Sequence, residues 1–180
     1  MAKAASTRTE NTADPSSAAP SVAGLGDRLA RGTAAGLFAG IVFLIAQMGW
    51  AVQRLDLPAV APLLDISTIF NGIDTMPMAT PDNLLIGLVT HLTLTMLFGI
   101  GFAFIAAFLR SPLLLAAGGL AFGVVLYVVN IQILGRVAFE WFTDPKGPPQ
   151  GFELVIHAVY GLLLVPFFIG AALRWDRSHA

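Results

Sequence analysis

Four long apolar runs dominate the chain and leave it few folds. They cover Thr33–Val52, Leu84–Leu109, Leu113–Leu134 and Leu154–Leu173. Each is long enough to cross a bilayer, which takes about 20 apolar residues in helical form. Lipid cannot satisfy backbone donors and acceptors, so a spanning segment must be a helix or a strand of a closed barrel. Barrel strands alternate apolar and polar residues at period two, and these runs do not. The expectation is an all-α membrane protein, a four-transmembrane-helix bundle. Only 12% of the residues are charged, about half the fraction of a soluble domain. A net charge of −1 offers nothing to a nucleic-acid partner, which would need a basic face. The absence of cysteine excludes disulfides, thiolate metal sites and cysteine nucleophiles.

Helix punctuation agrees with these limits. Thr80-Pro81-Asp82 reads as N-cap, first-turn proline and first-turn acid, and Ser111-Pro112 repeats the signal before the third span. Pro148-Pro149-Gln150-Gly151 is a turn before the fourth span, and Pro166 is expected to kink it. Lys3, Arg8, Arg28, Arg31, Arg110, Arg174 and Arg177 fall on one side of the four spans, against Arg54, Arg136 and Lys146 on the other. The positive-inside rule puts the seven in the cytoplasm, so both termini are expected there. Residues 1–32 read as a cytoplasmic N-terminal tail, disordered over about 1–26, with a short interfacial helix possible over Gly26–Arg31. Residues 33–174 form the membrane domain, and 175–180 a cytoplasmic C-terminal tail. The very short Arg110-Ser111-Pro112 connection predicts that the second and third spans pack as antiparallel neighbours. The two outer connections are longer. Leu63, Leu64, Ile66, Ile69 and Phe70 are spaced for a short helix on the outer surface, and Phe139, Trp141 and Phe142 read as aromatic belt residues, as do Trp50 and Trp175. Gly36 with Gly40, and Gly119 with Gly123, are small-residue pairs suited to close packing inside the bundle.

Polar residues within a span are costly and need a reason. The threonines Thr90, Thr93 and Thr95 can bond their own helix backbone. Gln47, His91, Asn130, Gln132 and His157 are left, with Glu153 at the rim. At a rise of about 1.5 Å per residue, His157 lies roughly 5 Å and His91 roughly 10 Å inside the outer ends of two co-directional spans. Gln47, Asn130 and Gln132 come near the outer ends of the other two, so a polar layer is expected in the outer third of the membrane. The bland reading is that the histidines, Gln47 and Asn130 hydrogen-bond helix to helix, with Glu153 and Arg136 solvated at the interface. The sharper one makes His91 and His157 ligands of haem b or of a copper or zinc ion. Glu153, four residues before His157, would then orient the imidazole as its hydrogen-bond partner. A proton or solute pathway is a third use of the same groups. Met76, Met78 and Asp74 are a thinner hint of soft-metal capture, and His179 is read as inert. No phosphate loop, zinc-protease motif or nucleophile elbow is present, and the outer halves of the spans hold no serine.

Pro62-Leu-Leu-Asp65-Ile-Ser, His91-Leu-Thr-Leu-Thr-Met-Leu-Phe-Gly99, Gly118-Gly-Leu-Ala-Phe-Gly123 and His157-Ala-Val-Tyr160-Gly161 resemble segments of a family of small, uncharacterised, four-span bacterial membrane proteins. The resemblance covers roughly residues 33–170. It implies the bacterial inner membrane and a histidine in the second and fourth helices, but no established activity. Its members often carry a methionine- and proline-rich end to the third helix, where this chain has Asn130-Ile-Gln-Ile-Leu-Gly-Arg136. The leading functional expectation is a non-catalytic membrane subunit or assembly partner, in contact with the lipid bilayer and with membrane-protein partner subunits. A haem- or copper-binding bundle and a small solute or proton transporter are the alternatives.

Overall fold

The computed structural model describes residues 24–71, 76–170 and 173. Residues 1–23 of the expected N-terminal tail (1–32) and the whole expected C-terminal tail (175–180) lie outside the described residues, and so do Lys3, Arg8, Asp74, Arg174, Trp175, Arg177 and His179. Among the described residues there is no strand. Four helices are long and apolar enough to span a membrane: Leu25–Arg54, Pro81–Ala106, Pro112–Val137 and Gln150–Phe167.

Helix α1 (Leu25–Arg54) starts eight residues before the expected Thr33, so the stretch read as the end of the N-terminal tail is helical and continuous with the first span. It ends where Asp56 takes a left-handed φ of 55° and the Leu57 N–H bonds back to the Ala51 carbonyl, an arrangement that satisfies the last carbonyls of a helix. Helix α2 (Ala61–Asn71) follows in the connection to the second span. Helix α3 (Pro81–Ala106) begins as its sequence dictates, with the Thr80 hydroxyl accepting from the Asn83 N–H. Helix α4 (Pro112–Tyr127) is capped likewise by Ser111, which accepts from the Leu114 N–H. The third span then widens into a π-helical stretch over Val128–Leu134 and closes with the short α5 (Gly135–Val137). A 3₁₀ turn over Glu140–Thr143 leads to α6 (Gln150–Leu164). At Pro166 the α-helical pattern gives way to a 3₁₀ turn over Val165–Phe167, because proline lacks the N–H that the ladder needs.

The helices pack as two antiparallel pairs. Along α1, Gly32, Gly36 and Gly40 meet Ile100, Thr95 and Gly99 of α3, with the contacts running backwards along α3 as α1 advances. Along α4, Gly119 and Gly123 meet Gly161, His157 and Ala158 of α6 in the same opposed order. A Cβ at Gly36 would fall on the Thr95 carbonyl, and one at Gly123 on the His157 carbonyl. Small residues let backbones approach this closely in lipid, where no hydrophobic force drives helices together. The glycine pairs thus serve packing within one chain. The second and third spans are antiparallel, as their short connection implies, and Phe102 meets Phe122 across them with ring centroids 5.3 Å apart, but their backbones approach closely at few places, while α1 lies against both α3 and α6. A tight turn places two helix ends together, but close backbone contact along their length requires complementary faces, and the glycine faces here belong to α1–α3 and α4–α6.

At the end of the bundle where α1 finishes and α3 begins, α2 crosses α3 at Gly87, whose missing side chain leaves room for the Leu63 carbonyl. Ala61, Leu63, Leu64, Ser67 and Thr68 are buried, and Asn71 donates to the Asn83 side chain at 3.0 Å. The helix is thereby docked onto the bundle.

Candidate functional site

A cavity of about 320 Å³ lies between the two helix pairs, beneath α2. Every long helix contributes to its wall. Phe43, Leu44 and Gln47 come from α1; His91, Leu94 and Phe98 from α3; Leu126, Asn130 and Ile131 from the third span; and Glu153, His157 and Tyr160 from α6. Pro62, Asp65, Ile66, Ile69 and Phe70 of α2 cover it. The π-helical turns present Asn130, Ile131 and Leu134 to this space. Such turns are rare and concentrate at functional sites.

The structure brings His91 and His157 to the same cavity, on helices that run in the same direction, and the Phe43 ring packs against both imidazoles at centroid distances of 5.9 and 5.1 Å. His91 Nε2 lies 2.8 Å from the Gly40 carbonyl. A carbonyl only accepts, so Nε2 carries the proton, and the bond ties α3 to α1 at the glycine crossing. His157 Nδ1 lies 2.7 Å from the carbonyl of Glu153, one turn earlier on its own helix, and Nδ1 is its donor for the same reason. Among the described residues, His91 Nδ1 and His157 Nε2 have no partner. The Tyr160 hydroxyl donates to the Thr95 carbonyl at 2.8 Å, a second tie between α6 and α3.

Glu153 is not solvated at the rim. It is 4% exposed, with Oε1 accepting from Gln47 Nε2 at 2.7 Å and Oε2 3.5 Å from His157 Nδ1. Its backbone carbonyl, not its carboxylate, makes the shorter contact with the imidazole. The Trp50 indole stacks on Phe152 with centroids 4.2 Å apart, closing the surface beside this pair. Gln47 is therefore a specific partner of a buried acid. Asn130 lines the cavity and makes no side-chain hydrogen bond among the described residues. Gln132 does not belong to the layer. It donates to Gln150 Oε1 at 2.7 Å and to the Tyr127 hydroxyl at 2.6 Å, and accepts from Arg136 at 2.8 Å, outside the cavity wall. The wide π turn separates it from the face that holds Asn130 and Ile131. Met76 and Met78 do not line the cavity. Among the described residues, no three His, Asp or Glu side chains converge to hold a metal ion.

One pair of site residues escapes a sequence reading. Trp141 is 6% exposed, not a belt residue, and its indole N–H donates to Asp65 Oδ1 at 2.7 Å, joining the Glu140–Thr143 turn to α2 above the cavity. The available signal was that a tryptophan withdrawn from water needs an acceptor for its N–H, but nothing in the sequence names Asp65 as that acceptor. Burial pushes the Asp65 carboxyl up to about 6 from its ordinary 3.8, although the Trp141 hydrogen bond draws it down. A carboxyl raised in this way binds its proton more tightly in the folded chain than in the unfolded one. Its charge therefore penalises the fold above pH 6, and the penalty is relieved as pH falls from 6 towards 4. The wild-type protein is expected to be more stable at pH 5 than at pH 7.5 by on the order of 1 kcal/mol from this group. Asp65→Asn, which keeps an acceptor for Trp141 and removes the charge, should flatten that part of the dependence. Thermal unfolding at the two pH values measures it, and identical pH dependence in the two proteins would contradict the assignment.

No protein-family model matches the chain, and no curated protein or solved structure shows significant similarity to it.

Proposed function

We propose that the protein is a non-catalytic, multi-pass subunit of the bacterial cytoplasmic membrane that holds a lipophilic molecule inside its bundle. The observation that carries this reading is the cavity. Its volume of about 320 Å³ falls within the range of small-molecule sites, which are mostly apolar with a few placed polar groups. The wall is largely Phe, Leu, Ile and Tyr, with Gln47, Asp65, Asn130, Glu153 and the two imidazoles among them. The backbones of α3 and α4 approach closely at few places and both helices belong to the cavity wall, which favours entry from the bilayer. Phe70, which lines the cavity and is 71% exposed, marks a second approach beside α2.

In this reading both termini are cytoplasmic, as the distribution of Lys and Arg favours. The α2 end then faces outward, with α2 and the Glu140–Thr143 turn at the interface. Exposed Phe70, Met78 and Val137 at that end suit contact with a partner subunit. A bis-histidine haem or a copper ion is supported less well, since His91 Nε2 is engaged by Gly40 and, among the described residues, no third ligand converges.

Purification in mild detergent followed by solvent extraction and mass spectrometry tests the proposal. The wild-type protein is expected to carry a lipophilic molecule at near-stoichiometric amount. The cavity-filling double variant Leu94→Phe/Ile131→Phe should lose at least nine-tenths of it while retaining its helical content. Equal amounts of every extracted species in the two proteins would overturn the reading.

A further inference from the structure

The geometry points to a ligand with a hydroxyl-type hydrogen-bond donor at its head: an apolar chain ending in an alcohol or phenol, seated with that group at His157 and His91. This inference rests on the cavity reading above and adds the chemical class. Each imidazole is already committed through one nitrogen to a backbone carbonyl, Nε2 of His91 to Gly40 and Nδ1 of His157 to Glu153. Carbonyls only accept, so those nitrogens hold the protons. A neutral imidazole that donates at one nitrogen presents a lone pair at the other. His91 Nδ1 and His157 Nε2 are therefore acceptors, and neither has a partner among the described residues. The His157 side chain is enclosed, the residue being 9% exposed, with Phe43 edge-on to its ring at 5.1 Å and the Tyr127 ring at 6.0 Å.

The neighbouring polar groups do not meet this demand. The Gln47 amide is given to Glu153, the Tyr160 hydroxyl to the Thr95 carbonyl, and the Trp141 indole to Asp65. Among the described residues the Asn130 amide and the second Gln47 N–H are left over, and neither forms a hydrogen bond to an imidazole. Neither nitrogen is among the buried polar atoms left without a partner, so both lone pairs remain accessible in a largely apolar cavity, where a bound molecule that brings a donor gains a hydrogen bond and one that brings only acceptors does not. A hydroxyl-headed lipophile supplies the missing donor, whereas an ester, ether or ketone of the same shape presents further acceptors.

Paired probes in detergent-solubilised full-length protein test this. 1-Dodecanol and dodecyl methyl ether share a chain and differ in the donor, and their affinities can be read by competition against a fluorescent fatty-chain probe. The alcohol is expected to bind at least tenfold tighter to wild type. His157→Phe keeps a ring against Phe43 and should lose most of the preference for the alcohol over the ether. If ether and alcohol bind wild type equally, the donor inference fails and the cavity reading stands. If a full preference survives both His157→Phe and His91→Phe, the assignment to the imidazoles is overturned. If neither probe binds wild type, the cavity reading itself falls, and this inference with it.

Discussion

Gly99→Val is expected to prevent the bundle from assembling, whereas Gly101→Val, two residues along the same helix, leaves it intact. A Cβ at Gly99 would fall on the backbone of Gly32 and Gly36, and backbone at a helix crossing cannot turn aside as a long side chain can. A Cβ at Gly101 meets nothing within 4 Å. Overpacking of a fitted interior costs about 1–3 kcal/mol, and more where the obstruction is rigid. The crossing also positions the His91–Gly40 hydrogen bond, so pushing α3 away from α1 disrupts both contacts. We expect Gly99→Val to lose about 3 kcal/mol or more, and Gly101→Val to change stability by no more than about 0.5 kcal/mol. Size-exclusion profiles and thermal unfolding in one detergent compare the two directly. Equal stability would mean that the α1–α3 contact contributes little. Gly161→Val, whose Cβ would fall on the Gly119 carbonyl, tests the α4–α6 pair in the same way.

Breaking the Gln47–Glu153 contact from either side is expected to cost about 2 kcal/mol, while removing both partners costs less than either change alone. Glu153 is buried, and Gln47 supplies its 2.7 Å hydrogen bond. Gln47→Leu leaves a buried carboxyl oxygen without its donor, and Glu153→Leu leaves a partly buried amide without its acceptor. The penalty in each single variant is chiefly that of the abandoned group, about 1–3 kcal/mol. In Gln47→Leu/Glu153→Leu no polar group is left behind, and replacing both partners with apolar residues of similar size is often close to neutral. Unfolding of the four proteins of this cycle gives the coupling. Strictly additive losses would show that the two side chains do not depend on each other.

Much of the fold is legible in the chain because its causes are local. Helix is forced on each apolar run by the backbone's need for internal hydrogen bonds in lipid. Thr80 and Ser111 act on residues within a turn of themselves, and the helix starts they predict are those observed; Pro166, expected as a kink inside the fourth span, brings the 3₁₀ turn over Val165–Phe167. The limits failed where no such device stands: nothing in the sequence around Thr33 stops α1, and it runs back to Leu25. The π-helical turns at Val128–Leu134 were not foreseen either, because no residue there requires or forbids them.

The candidate site was half visible. That polar residues in a span need partners drew attention to Gln47, Asn130, Glu153 and both histidines, and all five line the cavity. Depth along a helix says nothing of rotation about it, so Gln132 was grouped with Asn130 although it joins Tyr127 and Gln150 elsewhere. Asp65 and Trp141 are 76 residues apart in the chain, and no spacing rule links them.

Number and order of the membrane-competent helices follow from sequence, since lipid acts on each segment independently. Which helices embrace, and that Glu153 is enclosed instead of wet, follow from three-dimensional packing alone. In water an amphipathic stripe announces the buried face of a helix. Here α3 and α4 carry no amphipathic stripe, so the choice of neighbour falls to where glycines allow two backbones to meet, a property of pairs of helices and of neither one separately.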